Sequence, residues 1–160
     1  MGIDHVPGMR RKDKQITDPS QLADIIKKSV ACRIAMCDGD KPYMVPMSFG
    51  FDGDTLYFHT SKKGYKLDIL KKNPNVCFEF DIEAAVMTAE KACEFSINYK
   101  SIIGFGSVVF IEDPAEKKAA LDIIVSRYAD VGKSWPMSDK AVSGTIVFKI
   151  NIHHMTGKQS

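Results

Sequence analysis

Residues 43–60 read Tyr43-Met44-Val45-Pro46-Met47-Ser48-Phe49-Gly50-Phe51-Asp52-Gly53-Asp54-Thr55-Leu56-Tyr57-Phe58-His59-Thr60. Two strand-like runs, 43–51 and 55–60, flank a turn at Asp52-Gly53-Asp54. The Asp-Gly pair marks a hairpin because such a turn needs positive φ, which glycine adopts without a Cβ penalty. A hairpin joins antiparallel strands, so this stretch points to an antiparallel β fold.

The pattern repeats outward. Ala31-Cys32-Arg33-Ile34-Ala35-Met36-Cys37 forms a run that ends at the turn Asp38-Gly39-Asp40. Residues 75–82 and 100–112 read as two further strands, and 145–153 as the last. In that last run Ile146, Phe148, Ile150 and Ile152 alternate with Lys149, Asn151 and His153, the period of a strand with one buried face. A helix starts near Pro19, where Thr17 or Asp18 can cap it and a proline at the first turn loses no hydrogen bond. Its apolar face is Leu22, Ile25 and Ile26. A second begins at Asp113-Pro114-Ala115-Glu116, a capping box with Asp as the cap, and places Leu121, Ile124, Val125 and Tyr128 on one face. A short basic loop and helix occupy 61–72. Strands linked mainly by hairpins predict an antiparallel barrel with peripheral helices. Strands and helices do not alternate, which argues against a doubly wound sheet.

The chain has 160 residues, 44% of them hydrophobic and 26% charged, with a formal charge of +2. That length suits one domain, 1–160, with residues 1–17 as a polar, basic N-terminal arm. Burial of about 70% of the unfolded surface leaves no need for disulfides or metals. The small charge, with no basic stretch interleaved with aromatics, argues against nucleic acid as a partner. The cysteines Cys32, Cys37, Cys77 and Cys93 lack a C-x-x-C spacing, so zinc and thioredoxin chemistry are poorly matched and no metal site is expected. Cys32 and Cys77 lie in apolar runs and read as buried thiols. There is no apolar signal region at the N-terminus and no apolar run of about 18 residues, so the expectation is a cytoplasmic protein with no membrane span.

The densest polar information lies between Pro42 and Lys72. The strand ending in His59-Thr60-Ser61 runs into Lys62-Lys63-Gly64-Tyr65-Lys66, which opens a helix. Hydroxyls, an imidazole, ammonium groups and free helix N–H groups converge there, which is what a phosphate dianion requires. A solvated hairpin end with surface lysines is the alternative. There is no G-x-x-x-x-G-K-[ST] for a P-loop. Gly104-Phe105-Gly106 is a lone G-x-G inside a strand, better suited to a bend or close backbone approach than to a dinucleotide.

Arg10-Arg11-Lys12-Asp13, Pro42 to Gly50, Leu56-Tyr57-Phe58-His59-Thr60, Tyr99 to Gly106 and Met155-Thr156-Gly157-Lys158 follow one another in an order that resembles a known family. It is the nitroimidazole-resistance branch of the pyridoxamine-5′-phosphate-oxidase-like FMN-binding proteins. The resemblance runs from about residue 9 to the C-terminus. It implies a mainly β fold, a six-stranded antiparallel split β-barrel of the FMN-binding type, forming a homodimer with two FMN sites at the interface. By the same resemblance Val45, Pro46, Met47 and Ser48 lie along the flavin ring. His59, Thr60 and Ser61 meet the ribityl-phosphate end, with Lys66 as the main phosphate cation. Ser96, Tyr99 and Ser101 come from the partner subunit or cover the ring. The family often has Arg immediately before the position of Lys66, where this chain has Tyr65; the expectation is that Lys62 or Lys63 compensates or that phosphate affinity is lower.

The implied activity is reduction of small electron-poor molecules such as nitro-aromatics by an FMN-dependent oxidoreductase, with FAD as a possible substitute and NAD(P)H as a possible electron donor. A flavin carries its own redox chemistry, so no hydrolytic triad is needed. His59 is the catalytic candidate, or else it only binds cofactor. Two rival readings stand beside this one. A true pyridoxamine-phosphate oxidase needs a second, arginine-rich phosphate site, and Arg10, Arg11, Arg33 and Arg127 form no C-terminal cluster. A non-enzymatic flavin or haem carrier would bind without turnover. His153 and His154 are adjacent in a strand, face opposite ways and are expected to be structural. Trp135, in the loop 131–138, covers an active site or anchors the loop.

Overall fold

Gly39 and Gly53 both take positive φ, +65° and +119°, and each turns the chain back on itself as its Asp-Gly pair requires. The computed structural model describes residues 8–130 and 135–160. Residues 1–7 of the expected arm and 131–134 of the expected loop lie outside them. Along the chain run β1 (Gln15–Ile16), α1 (Pro19–Lys28), β2 (Cys32–Asp38), β3 (Lys41–Met47), β4 (Gly50–Phe51) and β5 (Leu56–Thr60). They are followed by α2 (Tyr65–Lys72), β6 (Asn75–Met87), β7 (Ser96–Ile111), α3 (Pro114–Tyr128), α4 (Asp139–Gly144) and β8 (Ile146–Gln159).

The protein is mainly β, an antiparallel sheet with few helices. Its eight strands follow the order β3-β2-β6-β7-β8-β5-β4, with β1 on the far end of β8. Six of the strands are long; β1 and β4 have two residues each. The run 43–51, expected as one strand, is broken at Ser48 and Phe49. The break has a large consequence, because β3 and β4 then lie at opposite ends of the strand order. Three Cα steps from Met47 to Gly50 span at most about 11 Å. The sheet must therefore curl until its two edges meet. No ladder pairs β3 with β4, so the curl stays open.

Inside it sit Phe49, Phe58, Phe78, Phe80 and Phe148, all fully buried. Phe58 stacks on Phe148 with centroids 5.3 Å apart. Gly104 faces this cluster: a Cβ there would lie 2.0 Å from the Phe78 ring. A smaller cluster under α3 and α4 gathers Ile111, Leu121, Ile124, Val142 and Val147. Asp18 caps α1 by accepting from the Ser20 amide at 2.9 Å, and Asp113 caps α3 by accepting from the Glu116 amide at 2.8 Å. Cys32 is buried, but Cys77 is only half-buried because it faces outward from the sheet. Strands β6 and β7 run on past the curl as a hairpin arm. No helix among the described residues is long and apolar enough to cross a membrane.

Candidate functional site

The turn from β5 into α2 is built from Ser61-Lys62-Lys63-Gly64. The Ser61 hydroxyl donates to the Lys63 carbonyl at 2.6 Å and holds the turn. Gly64 precedes the helix at φ 142°, ψ 153°, a region open essentially to glycine alone. α1, α3 and α4 each have a side-chain cap on their first turn, from Asp18, Asp113 and Ser138; α2 has none. The Leu67 amide already donates to the Gly64 carbonyl at 2.9 Å, so the amides of Tyr65 and Lys66 are the ones that present the positive end of the helix dipole. Lys62 and Lys63 are exposed beside it, Lys66 is half-buried in the first turn, and Thr60 is buried at the end of β5.

His59 precedes Thr60. Desolvation first, then the nearby Lys66 ammonium, push its pKa below the ordinary 6.5. Both effects favour the neutral ring. Tyr65 is committed elsewhere: its hydroxyl donates to Asp38 at 3.1 Å and its ring meets Tyr43 edge-on at 5.0 Å. The cations at this turn are therefore lysines.

β3 is the terminal strand of the sheet, so one side of its backbone has no strand partner. Met47 is in the core and Val45 packs against it, whereas Pro46 and Ser48 face out. The four expected ring contacts thus do not present one side-chain surface. What they share is the free backbone edge. Pro42 and Pro46, which cannot donate to a ladder, stand where a terminal strand tolerates them.

Ser48 and His59 line a cleft of about 410 Å³. Opposite them stand Ile124, Val125 and Tyr128 of α3 and its C-cap Ala129, and Trp135 completes the lining. The Tyr128 hydroxyl accepts from the Phe49 amide at 3.0 Å and donates to the Val30 carbonyl at 3.0 Å. The Arg127 guanidinium lies 4.0 Å over the Phe49 ring. It donates to the carbonyls of Ile26 at 2.8 Å, Lys27 at 3.1 Å and Ser29. This knot ties the β3–β4 crossover to the ends of α1 and α3. Sequence reasoning assigned Tyr128 to an apolar helix face and gave Arg127 no such part. A cation and a phenol ending an amphipathic helix were the available signal, but not their partners.

Ser96, Tyr99 and Ser101 belong to β7. Ser101 pairs with Lys158 of β8, whereas His59 pairs with Val147 of the same strand. Eleven residues of β8, about 36 Å of strand, separate the two levels. Within one chain these serines and Tyr99 do not meet His59. Lys158 places its ammonium 5.4 Å over the Tyr99 ring. His154 pairs with Phe105 and Ile152 with Gly106, so a bulge falls at His153, whose Nε2 lies 3.2 Å from the Ser107 hydroxyl. The bulge interrupts the alternation expected for the two histidines, and both are exposed. Among the described residues no three His, Cys, Asp or Glu side chains group as metal ligands.

Fold and site together define a mainly β protein with a cationic strand–helix turn beside a free sheet edge. The chain belongs to the pyridoxamine 5′-phosphate oxidase family, whose model matches residues 18–159. It is similar to the crystal structure of a candidate 5-nitroimidazole antibiotic resistance protein from Bacteroides thetaiotaomicron VPI-5482. The two are 37% identical with a TM-score of 0.80, over 91% of this chain and 86% of the other. The fold is shared with an FAD and haem binding protein from Mycobacterium smegmatis, at 24% identity and a TM-score of 0.83 over 92% of this chain and 73% of that one. It is also shared with a flavocytochrome from Azotobacter vinelandii, at 21% identity and a TM-score of 0.84 over 96% and 72%. A curated relative, an uncharacterised protein of Rhizobium meliloti (strain 1021), is 38% identical over 65 residues. That match spans 41% of this chain and 42% of the relative.

Proposed function

We propose that this chain is an FMN-dependent oxidoreductase of the split-barrel type that works as a homodimer and reduces small electron-poor molecules, nitroimidazoles among them. One observation carries the reading: the uncapped start of α2, with Lys62, Lys63 and Lys66 around it, touches the edge strand β3 through the Tyr65–Tyr43 ring contact at 5.0 Å. The two halves of FMN make opposite demands. Its phosphate needs amides and cations, which the first turn of α2, Lys62 and Lys66 offer, with hydroxyls from Thr60 and Ser61. Its flat ring has a polar rim, which the free N–H and C=O groups of β3 near Val45, Pro46, Met47 and Ser48 can meet. FAD carries the same phosphate and ring and is the alternative cofactor. The likeness to a candidate nitroimidazole resistance protein supports the choice of substrate class, and NAD(P)H is the proposed electron source.

When bound, the flavin supplies the hydride and electron chemistry. The chain's own part is to bind, orient and exclude water. His59, whose neutral form the surroundings favour, can donate or accept a hydrogen bond at the ribityl-phosphate end. The exposed β6–β7 arm, with Val86 73% and Ile97 53% exposed, is where a second copy docks. That docking would bring Ser96, Tyr99 and Ser101 to the other copy's flavin.

The test is the Lys66→Ala, Thr60→Ala double variant. It loses a charge-assisted and a neutral hydrogen bond, about 2–4 kcal/mol of FMN affinity. Flavin absorbance after gel filtration reads the retention, and circular dichroism checks the fold. Undiminished flavin in a folded double variant removes the phosphate assignment. A Soret band in the unaltered protein, with no flavin bands, would favour a haem carrier.

A further inference from the structure

The turn before α2 and the free edge of β3 come from different parts of the chain, and a side chain joins them. Tyr65, the first residue of α2, reaches across to the β2–β3 hairpin. Its hydroxyl donates to Oδ2 of Asp38, the last residue of β2, at 3.1 Å. Its ring meets that of Tyr43 on β3 edge-on, with centroids 5.0 Å apart. The other Asp38 oxygen, Oδ1, takes the Lys72 ammonium at 3.6 Å. Tyr65 and Lys72 are the two ends of α2, so one carboxylate grips the helix at both. We propose that Tyr65 is a positioning residue: by fastening the start of α2 to the β2–β3 hairpin, it sets the spacing between the phosphate end and the ring end of the cofactor site. Tyr65 itself touches neither end of the cofactor in this role, which rests on the flavin reading above.

Three observations give Tyr65 that part. The first is how the rest of α2 is held. Leu67, Ile69 and Leu70 are buried and seat the helix in the core. Lys72 and the C-cap Asn73, whose side chain donates to the Cys37 carbonyl at 3.5 Å, tie its C-terminal end to β2. Apolar burial is non-directional and fixes depth better than spacing. A hydrogen bond and an edge-on ring pair specify direction, and Tyr65 brings both to the N-terminal end. The second is the state of the phenol. Desolvation first, and then the hydrogen bond to Asp38, raise its pKa above the ordinary 10, so it keeps the proton it donates. The third is the form of the ligand. FMN joins its phosphate to its ring through one short ribityl chain. A two-ended ligand outbinds its halves most when the spacing of the two subsites matches the link. Tyr65 is 46% exposed, and its partners belong to the hairpin, so its loss loosens that spacing and leaves the core intact.

The test sets the whole ligand against its parts. FMN, riboflavin and inorganic phosphate are titrated into the unaltered chain, Tyr65→Phe and Tyr65→Ala, each first freed of bound flavin. Flavin fluorescence reads the first two ligands and phosphorus NMR the third. Tyr65→Ala should weaken FMN by about tenfold and leave riboflavin and phosphate each within about twofold, because the halves do not depend on the spacing between their sites. Tyr65→Phe keeps the ring contact and loses the hydrogen bond, so it should weaken FMN by about threefold. Unchanged FMN affinity in Tyr65→Ala overturns the proposal. A fall in phosphate affinity as large as that for FMN also overturns it, since Tyr65 then serves the phosphate turn alone. An equal fall for riboflavin does the same by assigning Tyr65 to the ring end. An unaltered chain that binds no FMN is a different failure: the cofactor reading goes first, and the role of Tyr65 goes with it before any variant is made. Should Tyr65→Ala not fold by circular dichroism, Tyr65→Phe decides. A loss confined to FMN supports the proposal and no loss overturns it.

Discussion

The surroundings of His59 act on its protonation. In the folded chain desolvation, and next the Lys66 ammonium, disfavour the imidazolium, so its pKa falls below 6.5. The unfolded chain binds that proton more readily. Stability from this residue is therefore complete above pH 6.5 and is lost as pH falls through the folded value. A dianionic phosphate at the α2 turn would act in the opposite sense, offsetting the Lys66 charge and favouring the imidazolium. NMR titration of the ring should thus give a pKa under 6.5 in the free protein and a higher one with FMN or inorganic phosphate bound. A ring pKa indifferent to both ligands would separate His59 from the phosphate site. Residue types at this site were legible in the sequence because strand, hydroxyls, lysines and glycine follow one another without interruption from His59 to Lys66. The role of Tyr65 was not, since Asp38 and Tyr43, which hold it, lie more than twenty positions earlier.

At the scale of elements, α2 depends on Gly64 twice. The glycine turns the chain at φ 142°, ψ 153°, and its lack of a side-chain cap leaves the first amides open. Gly64→Ala forces a Cβ into a glycine-only conformation and should cost about 1–3 kcal/mol of stability. Because the turn re-forms elsewhere in φ/ψ space, FMN affinity should fall as well, even at temperatures where the variant is fully folded. Urea midpoints and FMN titrations check the two effects separately; unchanged FMN affinity in a destabilised variant would mean the amides are not used. Elements governed by local chemistry were readable: the Asp-Gly turns, and the caps Asp18 and Asp113, follow from a few adjacent residues. The division of 43–51 into β3 and β4 was not. Every second or third residue there is apolar, as in one continuous strand, and the break at Ser48-Phe49 is imposed by the curl of a sheet whose other strands are distant in sequence. The bulge at His153 has the same origin, in the pairing of β7 with β8.

For the molecule as a whole, the β6–β7 arm is the feature that one chain alone does not satisfy. Val86, Phe95 and Ile97 are more than half exposed and Met87 nearly half, and such a concentration of apolar groups on a projecting hairpin marks a contact surface. The same strand carries Ser96, Tyr99 and Ser101, some eleven strand residues from the level of His59 in its own chain. If the arm docks on a second copy as proposed, assembly and cofactor binding are one event: the arm that covers its apolar side chains there also delivers these polar groups to that copy's flavin. Spacing along β7 says nothing about a neighbouring chain, so the role of these residues across an interface is an expectation that only the family resemblance supplied. Phe95→Asp with Ile97→Asp should raise the dimer dissociation constant by about a hundredfold, near 3 kcal/mol. Both substitutions sit on exposed arm positions, so the isolated fold should survive by circular dichroism. Light scattering should report a dimer for the unaltered chain and a monomer for the variant, and the monomer should release its flavin on gel filtration. A monomer that keeps its full complement of flavin would show that each chain completes its own site, and the contribution of Ser96, Tyr99 and Ser101 across the interface would have to be abandoned.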